Sequence, residues 1–384
     1  MGGRSYAARR RPPVLHPASC LLLGACAHCF ACFLVPAKMW GRVSCRCRLL
    51  CGGTWPGTGV RARSETQKSE TWYQIYLKGA KKKGDLHKQL FPGMLKPETL
   101  HHEELAEMMK TAVLYHNGPL VALNKPQGLA VTGKPGELTL LSVLPEVGQH
   151  LGFRQELQIV RAPGKESSGL VLLSSSPQLT KTFQNFFIHS RRAQKPTVTY
   201  WAVTVGVPDT TKGEIQVSLK LDHVRGMDPV VPVKAPSRQA LREGVKKTLT
   251  HFFVEDSTCD SALIKLQPLT AFPSQLLVHM VLQLCPVLGD HVYSGRVGSV
   301  LGESFLLPLE TAIPQTQVLN DLLLHRLQIT SNEVALLPLH LHLHQILLPQ
   351  TSVAPTVLIA PLPPFFSQTL WNLGLQMSGK PRNN

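Results

Sequence analysis

The residues best equipped for chemistry in this chain gather around a basic run. His189, Arg191, Arg192 and Lys195 follow a segment carrying Phe183, Phe186 and Phe187, and they precede Tyr200 and Trp201. Guanidinium and ammonium groups hold phosphates, and planar rings accept stacked bases, so this order of residue types suits contact with RNA. A solvated helix end would produce the same run. A second cluster, His340, His342 and His344, alternates with Leu339, Leu341 and Leu343. Period two places three imidazoles on one face of a strand, where zinc could bind. The plainer reading, taken here, is a half-exposed strand whose leucines face the core. Cys26, Cys29 and Cys32, like Cys45, Cys47 and Cys51, lack the spacing of paired zinc knuckles, and no metal is expected. The stretch from Gly118 to Gly136 holds several glycines but not the Lys-Ser or Lys-Thr that ends a phosphate loop.

Apolar spacing predicts the elements that must hold these side chains. A helix is expected over 103–115, and a buried strand over 119–125 that Pro126 stops. Further strands are expected over 155–159 and 169–173, then a helix over 178–189 and strands over 198–205 and 214–219. A polar loop over 226–243 leads to strands over 248–254 and 262–266 and a helix over 276–284. Strands and helices are too interleaved for a sandwich or a barrel, which leaves an α/β (α+β) body.

The chain has 384 residues, 43% of them hydrophobic and 17% charged, so it can bury a sizeable core. Ten of the 40 Lys and Arg residues, and none of the 24 carboxylates, fall within residues 1–64. The remainder therefore carries 30 basic residues against 24 acidic ones, a net +6 out of +16. This places the excess charge in a detachable leader and disfavours a uniformly basic nucleic-acid tail. Seven of the nine cysteines lie in the same 64 residues, leaving Cys259 and Cys285, too few for a disulfide framework. The apolar run over 20–35 has the look of a secretory signal and is short for a membrane span. Arginines without acids continue past it, as in a mitochondrial presequence. The expected plan is a leader over 1–64, a polar linker and helix over 65–115, a body over 116–349 and a Pro-rich tail over 350–384.

Several motifs in the body follow one another in a known order. Leu123-Asn124-Lys125-Pro126-Gln127-Gly128 opens it, and Ser167-Ser168-Gly169 precedes an apolar strand. Tyr200-Trp201-Ala202-Val203-Thr204-Val205-Gly206 follows, then Gln275-Leu276-Leu277-Val278-His279 and Pro286-Val287-Leu288-Gly289-Asp290. Leu339-His340 or Leu341-His342 closes the series. Over residues 119–349 this resembles the RluA branch of the RNA pseudouridine synthases. The resemblance implies a pseudouridine synthase fold, with a mixed, largely antiparallel sheet, flanking helices and a central RNA-binding cleft. It also implies uridine-to-pseudouridine isomerisation in mitochondrial mRNA or rRNA, in the matrix, without cofactor or membrane span. RNA-granule or ribosome-assembly proteins are the further partners it suggests.

Two positions depart from the family pattern. The aspartate of His-Arg-Leu-Asp-x-x-Thr-Ser-Gly falls on Gly164, and the basic residue that pairs with it falls on Leu277. Their joint loss is coherent, because a cation left facing a vanished carboxylate would be buried uncompensated. Tyr200 stands where the family's tyrosine stacks on the base and helps to take its proton. Glu166, two residues beyond Gly164, is the nearest substitute carboxylate, with Asp290 and Asp222 as more distant ones. Arg191, Arg192, Lys195 and Lys125 are the expected RNA contacts. Two functional readings follow: a synthase with a rearranged carboxylate, or a non-catalytic RNA-binding or ribosome-assembly factor on the same fold. A third is a protein-interaction module whose RNA groove has decayed.

Overall fold

The computed structural model describes residues 90–95, 100–134, 136–222, 229–308, 314–350 and 356–377. The expected leader and most of the expected linker lie outside the described residues. Among the described residues the elements begin with helix α1 (His102–Thr111), strands β1 (Val113–Asn117) and β2 (Leu120–Lys125), and helix α2 (Leu140–His150). Next come β3 (Gln158–Arg161), β4 (Ser168–Ser174), α3 (Pro177–Arg192), β5 (Val198–Val205), β6 (Lys212–Leu221) and β7 (Val230–Val233). They are followed by α4 (Arg238–Arg242), β8 (Lys246–Ser257), β9 (Ser261–Pro268), α5 (Gln275–Leu282), β10 (Val297–Val300) and β11 (Glu303–Leu306). Helix α6 (Asp321–Leu327), β12 (Leu341–Leu347), β13 (Val357–Ile359) and α7 (Pro364–Leu373) complete the order.

Eleven strands form one sheet in the order β1-β2-β4-β12-β5-β9-β8-β6-β7, with β3 added to β4 and β13 to β12. The hairpin β10–β11 stands apart. Among the described residues every pairing is antiparallel except β4 with β12, so the sheet is mixed and largely antiparallel. One edge of β4 is divided. Ser168 and Gly169 pair with His342 and Leu343 of β12, while Leu172, Leu173 and Ser174 pair with β3.

The alternation of side chains along each strand splits the core into two layers. On one face Leu120, Leu170, Leu172 and Val198 pack on Phe183 and Phe187 of α3, and Ala202, Ile264 and Leu341 pack on Leu276 and Met280 of α5. On the other, Val121, Val171 and Leu173 meet Leu105, Met109, Leu140 and Val143 of α1 and α2, while Trp201, Val203 and Leu263 meet α6 and α7. Coverage of both faces explains the unbroken apolar runs in β2 and β4. No described helix is long and apolar enough to cross a membrane.

Four expectations need correction. The helix expected over 103–115 stops at Thr111, because Val113 to Asn117 pairs with β2 across the Gly118-Pro119 turn. The expected loop over 226–243 contains β7 and α4, with residues 223–228 outside the described ones. The expected tail carries β13, paired to β12, and α7, whose Phe365 and Phe366 are buried. Proline sits there in the first turn of a helix, where its missing N–H costs nothing. Finally, β12 is covered on both faces, so His340 and His342 are as buried as Leu343.

Each buried imidazole has partners suited to a neutral ring. Ser168 Oγ donates to His342 Nδ1 at 2.9 Å, and His342 Nε2 donates to the Ala360 carbonyl at 3.4 Å. His340 Nδ1 donates to the Pro338 carbonyl at 2.7 Å and its Nε2 accepts from Thr369 Oγ1 at 2.8 Å. Among the described residues no three His, Cys, Asp or Glu side chains gather as a metal site.

Two outcomes are expected. A Cβ on Gly169, whose φ is +118°, would overlap the carbonyl of Leu343. Gly169→Ala should therefore lower unfolding free energy by roughly 3 kcal/mol, read by urea denaturation. Desolvation pushes His340 and His279 down to about 4 and His342 to about 3, from 6.5. The unfolded chain takes up these protons near pH 6.5 and the folded chain only below the depressed values. Their contribution is thus complete above pH 6.5 and shrinks as pH falls, by about 1.4 kcal/mol per pH unit for each ring. The urea midpoint should drop between pH 6.5 and 5, and His342→Asn should flatten that drop by about a third. A midpoint indifferent to pH would contradict this account.

Candidate functional site

Tyr200 lies in β5 opposite Leu343 of β12 on one side and Leu266 of β9 on the other. Leu343 is also in register with Gly169 of β4, so Gly169, Leu343 and Tyr200 form one row across three strands. Two strand spacings separate the ends of this row by about 10 Å, with buried Leu343 between them. The half-buried ring of Tyr200 packs against both the α3 cluster and the α5 cluster, which places it on the floor between the two helices. Trp201, its neighbour in sequence, points to the opposite face, where Lys265 Nζ lies 5.1 Å from its ring centroid. The two aromatics that sequence grouped together are therefore divided by the sheet.

A cation stands beside this floor. Arg161 ends β3, and its guanidinium carbon is 5.0 Å from the centroid of the Phe187 ring on α3. Arg191, one turn further along that helix, donates from Nε to the Phe187 carbonyl at 3.3 Å. Burial pushes the Tyr200 phenol above its ordinary value while the charge of Arg161 pulls it back. Burial also lowers Arg161, with Tyr200 opposing that shift and Arg191 adding to it. Sequence reading passed over Arg161, although a basic residue three places before Gly164, closing a short strand, was the available signal. Arg191, Arg192 and Lys195 are exposed at the end of α3, where cations also complement the helix dipole.

The loop from β3 to β4 carries Gly164 and Glu166, both exposed. A Cβ added at Gly164 would meet nothing within 4 Å, so the position has room for a carboxylate and none is there. Lys125 holds this loop down. Its Nζ donates to the carbonyls of Pro126 at 3.0 Å, Leu129 at 2.9 Å and Lys165 at 3.2 Å, and Gly128 N–H donates to the same Lys165 oxygen at 3.1 Å. Lys125, expected to touch RNA, is instead wholly buried, because the turn after β2 curls its carbonyls around the ammonium. Desolvation lowers it to about 7, against the charge of Glu166.

The other carboxylates are engaged elsewhere. Asp290 is buried, with Oδ1 accepting from the N–H groups of Val292 at 3.0 Å and Tyr293 at 2.9 Å, and Asp222 pairs with Lys220 at 2.9 Å. Leu277 makes apolar contacts between α5 and the sheet. Two residues on, buried His279 lies with Nε2 2.8 Å from Thr248 Oγ1. The arrangement thus sets a half-buried tyrosine ring near the guanidinium of Arg161, with Arg191 on the same helix as the Phe187 that Arg161 covers, and with Glu166 exposed on the loop that follows β3.

Known proteins share this plan. The sequence matches the RNA pseudouridylate synthase family over residues 119–281. It is 58% identical to the human mitochondrial mRNA pseudouridine synthase RPUSD3, covering 84% of this chain and 93% of that protein. The mouse protein of the same name is 54% identical over 83% of this chain and 91% of its own. Mouse pseudouridylate synthase RPUSD4, mitochondrial, is 31% identical over 73% of this chain and 74% of its own. The structure of human RNA pseudouridylate synthase domain containing 4 superposes with a TM-score of 0.58 at 28% identity, over 72% of this chain and 98% of that one. With the motif order, the sheet topology and these likenesses in agreement, the chain belongs to the RluA-type RNA pseudouridylate synthase family.

Proposed function

We propose that this protein acts in the mitochondrial matrix on messenger RNA, converting uridine to pseudouridine in the cleft between α3 and α5. The observation that carries this reading is Tyr200, set on the cleft floor with Arg161 beside it, so that the part of the site that grips a base is whole. The names of the relatives at 58% and 54% identity favour mitochondrial mRNA over rRNA as substrate. In the reaction the N1–C1′ bond breaks, the base turns, a C5–C1′ bond forms, C5 gives up a proton and N1 takes one. Nothing is oxidised and no cofactor is called for. Tyr200 stacks on the flipped base, and its hydroxyl relays the C5 proton, taking it as the phenol's own proton passes to water. Glu166 supplies the carboxylate from the loop of Gly164, and exposed Arg191, Arg192 and Lys195 hold phosphates.

A second reading, a non-catalytic factor for mitochondrial RNA or ribosome assembly, is favoured by the bare Gly164 and the apolar packing of Leu277. Mapping pseudouridine across mitochondrial RNA in cells lacking the protein separates the two. The synthase reading expects sites that vanish on deletion, return with wild type and stay absent with Glu166→Gln. Restoration by the Gln form would remove Glu166 from the mechanism, and unchanged sites with altered RNA abundance would establish the second reading. Gly164→Asp should fold like wild type, given the open space, and gain no substantial turnover, because Leu277 offers the new carboxylate no cation. Turnover by that single variant well above that of wild type in a uridine-isomerisation assay would refute the point.

A further inference from the structure

We infer that Arg161 and Arg191 form a two-guanidinium clamp for a single RNA backbone phosphate, that of the nucleotide whose base lies on Tyr200. The inference rests on the RNA-binding part of the function proposed above and adds to it a residue and a ligand atom.

Two elements bring these side chains to one place. Arg161 comes from the end of β3 and lies over the ring of Phe187, while Arg191 comes from the last turn of α3 and bonds through Nε to the carbonyl of the same residue. Both contacts fix the stem or the flat face of the guanidinium. For Arg191 they leave the two terminal nitrogens to a ligand, and among the described residues no carboxylate lies within ion-pair distance of either arginine. Two partly buried cations elsewhere among the described residues are paired with acids: Lys265 with Glu255 at 3.5 Å and Arg326 with Asp260 at 3.2 Å. Two guanidiniums that repel each other and have no acid between them form a site that gains most from a bridging anion.

The anion's shape follows from the donors. Paired N–H forks match the tetrahedral oxygens of a phosphate, which can accept from both at once. Its source follows from the surroundings. Tyr200 packs in the same cluster as Phe187 and feels the charge of Arg161, so a base on its ring has its own phosphate within reach of the clamp. Beyond Arg191, exposed Arg192 and Lys195 continue the positive surface, as a strand with further phosphates requires and a free nucleotide does not.

The test uses the full chain and a short uridine-containing single-stranded RNA, with affinity followed by fluorescence anisotropy across a salt series. Arg161→Gln and Arg191→Gln should each weaken binding about tenfold and reduce the log–log salt slope by about 0.7. The double variant should lose less than the two combined, since both forks hold one phosphate. Arg161→Lys should keep the salt slope while losing affinity, and Arg238→Gln, exposed on α4, should change nothing. Excess uridine monophosphate should fail to displace the RNA. Additive losses with a doubled change in slope would mean two separate phosphates and would overturn the clamp, as would unchanged affinity in both single variants. Displacement by the mononucleotide would overturn the assignment to an RNA strand. If wild type binds no RNA, the proposed function falls and the clamp with it. Should Arg161→Gln lower the melting temperature, the exposed Arg191→Gln and the stem-preserving Arg161→Lys still decide the matter.

Discussion

Gly169 lies so close to the backbone of Leu343 that no side chain fits between them, and the row of residues that ends at Tyr200 takes its geometry from that contact. It joins β4 to β12 in the parallel sense, in a sheet whose other described pairings are antiparallel. Because β12 uses only the first two residues of β4, the rest of that edge is left to β3, and β3 ends at Arg161. Because Leu343 also faces Tyr200, the aromatic floor is fixed two strands away. One close approach thus sets the tyrosine, the cation and the intervening loop relative to one another.

The electrical character of the site is equally local. The imidazoles behind the floor are held neutral by desolvation and by partners that suit an uncharged ring, so they add no field at neutral pH. Lys125 spends its donors on backbone carbonyls. Beside Tyr200 stands Arg161, an arginine, whose charge persists at any physiological pH. The carboxylate nearest to Gly164 stands on the exposed loop over 164–166, while Arg161 and Arg191 stand on β3 and α3.

The strands β2, β4 and β5 and the helix α3 were legible because their apolar spacing states directly what they bury. Gly164, Tyr200 and Leu277 were singled out by motif spacing, which carries position even when residue type has changed. Other features depended on contacts that a local pattern does not encode. Val113 to Tyr115 satisfy a helical period until β2 is present to pair with them. His340 and His342 read as an outward face until α7 covers them. Lysine type gives charge but not burial, and Lys125 is enclosed by a turn that begins at the next residue. Arg161 reaches Phe187 through the register of β3 on β4, a relation between segments with no trace in either.

Strand β12 also imposes an order on assembly. The half of the sheet built from β1 to β4 and the half built from β5 to β9 are bridged by β12 alone, and β12 is made after all of them. A ribosome releasing this chain exposes two apolar half-sheets well before the segment that unites them. Closure then requires contacts between residues far apart in sequence, which slows folding and prolongs the exposure of unpaired edges on β4 and β5. A nascent chain that stops before residue 341 would hold every arginine and tyrosine of the cleft and still have no cleft. Residues before 341 alone therefore cannot complete the sheet, which stays open between β4 and β5 until β12 is made.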